Sequence, residues 1–390
     1  MKKDTKEVYI LDKIDQELSK IALENSYCIT SDLIFENYEV FAERAKKHEV
    51  YGAFIERIVH NKNDNKCIKD IKKELAIRQI KSRKLLKELG TIHAAFKTNG
   101  IKYVVFKGIA SVFWKCCSLT EKVNTDFDLL IMPEDLEKAY GIVATLGYKM
   151  AGSMKEDYSM RLLAWHGCTW HKGEYSIEIH HRYDNYGDEY KLDAESILKN
   201  LQEVSLQDVH ICVPAVEDQL LLLCIHMYHH EYRGMKFKLK YQREIDNLIK
   251  NNFINWDMFK NKVHRCDAKF VVSYALYFCN ETYELIFKKR LFDKTLLDDI
   301  LPEDFDKRKN QLAHRQFLDT RSFGDWDEYI IYWEKRFGYD WKGGYAQRLF
   351  SDENYVALRF FCLCFYYSVQ SRWRKAYEEF NIKYDERFFY

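Results

Sequence analysis

Apolar residues recur at helical spacing from about Glu7 to Gly100, with Tyr38, Phe41 and Ala45 followed by Val50, Phe54 and Ile58. Repeats of three and four residues put one apolar stripe on each helix. From Ile68 to Asn99 the stripe runs longer and predicts one long amphipathic helix or a helix pair, stopped by Asn99-Gly100. The period then changes. Tyr103 to Phe106 is a continuous strand-forming run that halts at Lys107-Gly108, after which Ile109, Val112, Phe113 and Cys116 return to helical spacing. A polar loop leads to Asp126-Phe127-Asp128, which enters a second apolar strand, Leu129-Leu130-Ile131. Pro133-Glu134-Asp135 opens a helix, with proline in its first turn and acids at its positive end, and Gly147 closes it. Leu163 to His171 and Tyr175 to Tyr183 flank Lys172-Gly173-Glu174 as a hairpin, and Val209 to Val213 is a short strand stopped by Pro214. From Glu217 the pattern is helical again, over Leu220 to His230, Lys238 to Asn251 and beyond. Strands confined to residues 100–215 between helical ends predict an α+β fold.

Composition narrows this picture. The chain has 390 residues, room for more than one core, and is 47% hydrophobic and 16% aromatic, a folding composition. A net charge of +1 argues against a surface built wholly for nucleic acid, and three prolines favour long helices. Eleven cysteines without a CxxC pair fit reduced, buried thiols, Cys28, Cys67, Cys168, Cys224, Cys266 and Cys279 among them. The first residues, MKKDTKEVYILDKIDQ, lack the apolar segment of a secretory signal, and the apolar run Val356 to Val369 is short and broken by Arg359. The expectation is a cytoplasmic protein without a membrane span.

Chemistry concentrates in the strands. Side chains alternate along a strand, so Asp126 and Asp128 share one face while Phe127 and Leu129 take the other. Two such carboxylates opposite a strand–glycine–helix turn can hold a divalent cation against a phosphate. Asp-x-Asp alone is common: Asp304-Phe305-Asp306 and Asp325-Trp326-Asp327 also occur, and both read as surface acids because no buried strand follows them. A two-metal phosphoryl transfer site calls for a third carboxylate. Glu178 answers, with His180 on the same face because Ile177 and Ile179 take the buried one; the plain alternative is an acid facing water. Lys107-Gly108 can offer an ammonium and backbone N–H groups to a triphosphate, or be an ordinary turn. His171, His180, His181, His226, His229 and His230 make no closed zinc set, and read as structural or substrate-facing. The basic stretches Lys236, Lys238, Lys240, Arg243 and Arg372, Arg374, Lys375 read first as solvated faces, and only second as phosphate or RNA contacts.

The order Lys107-Gly108, Asp126-x-Asp128, Glu178-x-His180 resembles the bacterial uncharacterised nucleotidyltransferase family, within the DNA polymerase beta-like nucleotidyltransferase superfamily. The flanks agree: FAERAKKHEVYGAF (Phe41 to Phe54), GIKYVVFKG, VPAVEDQLLLLCIHMYHH and REIDNLIK are similar to that family, with His226 and Asp246 where its histidine and aspartate recur. The resemblance covers about residues 30–285. It implies a mixed sheet flanked by helices that binds Mg²⁺ (or Mn²⁺) and a nucleoside triphosphate. Asp126, Asp128 and Glu178 would be the catalytic and metal-binding carboxylates, Glu178 completing the site or helping to deprotonate an acceptor. Lys107, Gly108, Lys122, His180, His226 and Asp246 would contact the nucleotide. Two departures stand out. Broader superfamily members usually have Gly-Ser or Gly-Gly at Lys107-Gly108, although the nearer family shares the lysine, and Lys122 stands where an arginine is frequent, keeping the charge and losing the bidentate fork.

The implied organisation is an N-terminal helical region (1–100), a catalytic core (101–215), a helical substrate- or nucleotide-binding region (216–290) and an aromatic-rich helical region (291–390). The implied reaction transfers NMP from an NTP to a hydroxyl or phosphate of a small molecule, a peptide or protein, or a tRNA, releasing pyrophosphate. One alternative is a non-catalytic nucleotide- or RNA-binding protein, or the acting half of a toxin–antitoxin or phage-defence pair, with its C-terminal third as partner surface. Another is an Asp-x-Asp sugar-nucleotide glycosyltransferase using Mn²⁺, which the helical first hundred residues argue against.

Overall fold

The computed structural model describes residues 5–24, 27, 32–58, 66–122, 126–151, 167–183, 190–192, 194–232 and 238–306. The helical pattern at the start becomes α1 (Thr5–Leu23), α2 (Asp32–Glu36), α3 (Tyr38–Lys47), α4 (Tyr51–Ile58) and α5 (Lys66–Thr98). The α1–α4 helices bury Leu18, Ile21, Phe41, Phe54 and Ile58 in a shared core that Leu239 also enters. The long apolar stripe is one helix of 33 residues, not a pair. It stops at Gly100, whose φ of +69° lets Ile101 N–H reach back to Phe96 O at 3.0 Å.

The sheet follows with β1 (Tyr103–Phe106), α6 (Gly108–Phe113), β2 (Asp126–Ile131), a 3₁₀ turn (Pro133–Asp135), α7 (Leu136–Thr145), β3 (Lys149–Met150), β4 (Gly167–Lys172) and β5 (Tyr175–His180). Strand order is β1-β2-β5-β4-β3. Among the described residues the β2–β5 pair alone is parallel; β1–β2, β5–β4 and β4–β3 are antiparallel. The mixed sheet flanked by helices is the expected α+β architecture. Tyr103 and Val105 face one core and Val104 and Phe106 the other, which is why β1 reads as an unbroken apolar run.

The rest is α8 (Ala194–Leu198), β6 (Gln202–Leu206), β7 (Val209–Val213), α9 (Val216–Tyr232), α10 (Leu239–Asn251), α11 (Trp256–Arg265), α12 (Lys269–Phe287) and a 3₁₀ turn at Lys294–Leu297. The α9–α12 helices cover the Val104/Phe106 face of the sheet. The expected hairpin is present but shorter: its return strand ends at His180, and residues 163–166 lie outside the described residues. β3 and β6 carried no strand signal, β3 being two residues long and β6 half exposed. The β6–β7 turn places both Gln207 and Asp208 at positive φ, +49° and +66°, without the glycine that normally announces it. Cys224, Cys266 and Cys279 are buried and unbridged. Among the described residues, no helix is long and apolar enough to cross a membrane. The expectations for Cys28, Lys236, Asp325-Trp326-Asp327, Val356 to Val369 and Arg372 to Lys375 lie outside the described residues, as do the side chains of His229 and His230.

Candidate active site

The centre of the sheet assembles the site. Parallel pairing sets Asp128 of β2 beside Glu178 of β5, and antiparallel pairing sets Phe106 on the other side of Asp128. Two residues along β5 the same face carries His180, which is fully buried and packs edge-on to the Phe106 ring at 4.9 Å. Its Nε2 lies 3.2 Å from Asp128 Oδ1 and 3.4 Å from Glu178 Oε2. Among the described residues, Asp128, Glu178 and His180 form the set whose donor atoms all lie within 4.8 Å of one another. Of the carboxylates expected to hold a metal, Asp128 and Glu178 belong to that set. Asp126 does not; it shares the face of β2 but stands outside, and His180 takes the third place.

Lys107 closes the group. Its φ of +58° and ψ of −143° are a conformation that L-residues rarely hold, just before α6 begins. The turn brings its ammonium 3.4 Å from Asp128 Oδ1 and over the rings of Phe106 (4.9 Å) and Tyr183 (5.6 Å). Next to it, a Cβ built on Gly108 would meet nothing within 4 Å, so the backbone there is open to approach.

The charges respond to this packing. Burial by itself would raise the Asp128 pKa, but the Lys107 ammonium and the His180 ring hold it well below the usual carboxylate range. Burial would lower His180, yet hydrogen bonding to Asp128 and Glu178 raises it above an ordinary histidine. Asp126 is raised, first by desolvation and then by the negative charge of Asp128.

The other expected nucleotide contacts stand outside the three-donor set. Lys122 is buried, and its ammonium pairs with Glu244 Oε1 of α10. Glu244 also accepts the Ser111 hydroxyl at 3.0 Å. Lys122 is therefore an interior ion-pair lysine in the wall of a cavity of about 570 Å³, which Tyr51, Arg78, Glu121, Lys240 and Arg243 also line. The positive charges of Lys240 and Lys122 act on Asp126. Of the basic stretch, Arg243 is buried, while Lys238 and Lys240 are partly exposed. Lys238 and Lys240 both bond Glu49, while Arg243 grips Glu121 with two bonds of 2.9 and 2.7 Å. His226 of α9 packs edge-on to Tyr241 at 5.1 Å, outside the three-donor set. Asp246 is wholly buried in α10, its Oδ2 accepting from Gln242 Nε2 at 3.4 Å, and burial pushes its pKa up to about 8. It is an interior residue of α10. Asp304 and Asp306 are exposed, as expected of surface acids.

A family model described as uncharacterised nucleotidyltransferase matches residues 36–284. The chain belongs to that family. No curated protein matches it. Among solved structures, the antibiotic-resistance factor ANT(2'')-Ia is similar, with 15% sequence identity over 52% of this chain and 99% of that one, at a TM-score of 0.34. A likeness of that size carries no argument about substrate. The nucleotidyltransferase match runs from α2 into α12 and so includes the sheet, Lys107 and all three clustered donors.

Sequence reading missed Glu244, Ser111 and Glu121. The signal for Glu244 is α10 itself, where Gln242, Arg243, Glu244, Asp246 and Asn247 are consecutive or nearly so and all buried. A helix polar at that density and still covered must pair its charges internally.

Proposed function

We propose that this nucleotidyltransferase-family chain transfers NMP from an NTP to an acceptor hydroxyl or phosphate and releases pyrophosphate. The carrying observation is the register of Asp128 with Glu178, which gathers two carboxylates and the His180 imidazole under one lysine. Two acids and an imidazole at these separations suit a divalent cation. Held by the Asp128 and Glu178 carboxylates, it would neutralise triphosphate charge and polarise the α-phosphate. Lys107 supplies a second positive charge on the same side, and Gly108 leaves room for a phosphate to reach the backbone. Asp126, on the same face, would take the acceptor proton as the acceptor oxygen bonds to the α-phosphorus and the bond to pyrophosphate breaks. Positioning and charge neutralisation supply the rate enhancement. Among the described part of the first hundred residues the regular elements are all helices, so no α/β unit of the glycosyltransferase kind precedes the motif there.

The test is incubation with each α-phosphate-labelled NTP, Mg²⁺ or Mn²⁺, and cell extract or RNA. Wild type is expected to label an acceptor, and Asp128→Ala or Glu178→Ala to lower labelling by about a thousandfold or more with the fold retained. NTP binding without any transfer would favour the binding-module alternative. Full activity in Asp128→Ala would refute the proposal.

A further inference from the structure

We infer that His180 Nε2 is itself a ligand of the cation, and that this imidazole makes the site select Mn²⁺ over Mg²⁺. The inference rests on the metal dependence proposed above and goes beyond it, because carboxylates alone would not distinguish the two ions in this way. Geometry comes first. Metal–ligand bonds of about 2.0–2.2 Å set neighbouring donors about 3.0–3.6 Å apart around one ion. The separations from His180 Nε2 to Asp128 Oδ1 and Glu178 Oε2, 3.2 and 3.4 Å, fall inside that range without rearrangement. The ring is also held in place: it is fully buried and wedged against the edge of Phe106, so Nε2 cannot turn from the carboxylates without repacking.

Chemistry comes second. Mg²⁺ is hard, prefers oxygen and gives up its waters reluctantly, whereas a nitrogen donor binds first-row transition ions more readily, so one imidazole among carboxylates favours Mn²⁺ relative to Mg²⁺. Lys107 adds a further term. Its ammonium approaches the same Asp128 Oδ1 that the ion would use, so an entering cation must push it aside. The displaced charge then faces the phosphates. Removing the ammonium is therefore expected to tighten cation binding while weakening the hold on the triphosphate.

The competing arrangement has His180 only donating a hydrogen bond that orients both carboxylates. Calorimetric titration of the full chain with Mn²⁺ and with Mg²⁺, in wild type, His180→Gln and Asp128→Asn, separates the two, together with nitrogen hyperfine coupling in the Mn²⁺ electron paramagnetic resonance spectrum. The spectrum needs no variant, so it stands even if His180→Gln folds poorly. Expected are nitrogen coupling in wild type, Mn²⁺ binding about tenfold or more tighter than Mg²⁺, and a collapse of that ratio in His180→Gln. Mn²⁺ bound without nitrogen coupling, or an unchanged ratio in His180→Gln, would overturn the ligand role. If Asp128→Asn still abolished binding in that case, the carboxylate site and the proposed reaction would survive. Wild type that binds neither ion would overturn both.

Discussion

Lys107 occupies a backbone conformation suited to glycine, and its side chain is what the strain keeps in place. A non-glycine residue at φ +58° and ψ −143° costs about 1–3 kcal/mol. Lys107→Gly and Lys107→Ala both lose the ammonium, so they differ chiefly in that strain. Chemical denaturation is expected to find the glycine variant more stable than the alanine variant by about 1 kcal/mol, with labelling activity depressed in both. Equal stabilities would show that the turn is relaxed. Asp246 illustrates the same scale inside the fold. Its folded pKa of about 8 lies far above the unfolded value of about 3.9. The folded state therefore keeps a proton that the unfolded state has lost. The corresponding stability is complete below about pH 4 and disappears as pH rises through about 8. Asp246→Asn does not titrate, so its advantage over wild type should grow from about pH 4 to about pH 8 and then level off, as denaturation midpoints across that range would show.

At the scale of elements, α10 and the loop ahead of β2 are joined by buried charge. Lys122 with Glu244 and Arg243 with Glu121 tie residues more than a hundred positions apart. Lys122→Met would leave Glu244 buried beside Ser111 without its cation, at a cost of about 3–5 kcal/mol. Adding Glu244→Gln to Lys122→Met should recover most of that loss, and a double-mutant cycle by urea unfolding measures the coupling. If the single variant cost less than 1 kcal/mol, the pair would not be holding the loop. The elements themselves were legible where burial is two-sided or alternation is clean: β1, β2 and β7 appear where the pattern put them, and β5 starts where expected but ends three residues sooner. β3 and β6 were not, because two residues carry no period and the exposed, polar Gln202 and Glu203 look like loop. Their pairing comes from the neighbours they meet, not from their own side chains.

At the scale of the molecule, the N-terminal helices, the sheet face with α5 and α7, and the opposite sheet face with α9–α12 each enclose a core. Both faces of the sheet are therefore covered, and chemistry is left to the C-terminal end of β1 and to the polar face that β2 and β5 share. By itself the sequence determined that Asp126 and Asp128 share a face, that Glu178 and His180 share another, and that Lys107-Gly108 ends a strand. These follow from the two-residue period of a strand and from the break at the Lys107-Gly108 turn, which act over a few residues. Only the tertiary structure decided that the two faces meet in one parallel ladder, that His180 joins Asp128 and Glu178 in one donor set, that Lys122 turns to Glu244, and that Asp246 lies in the interior. Each of those depends on which distant segments pack together, and local periodicity constrains the direction of a side chain without naming the partner it will meet.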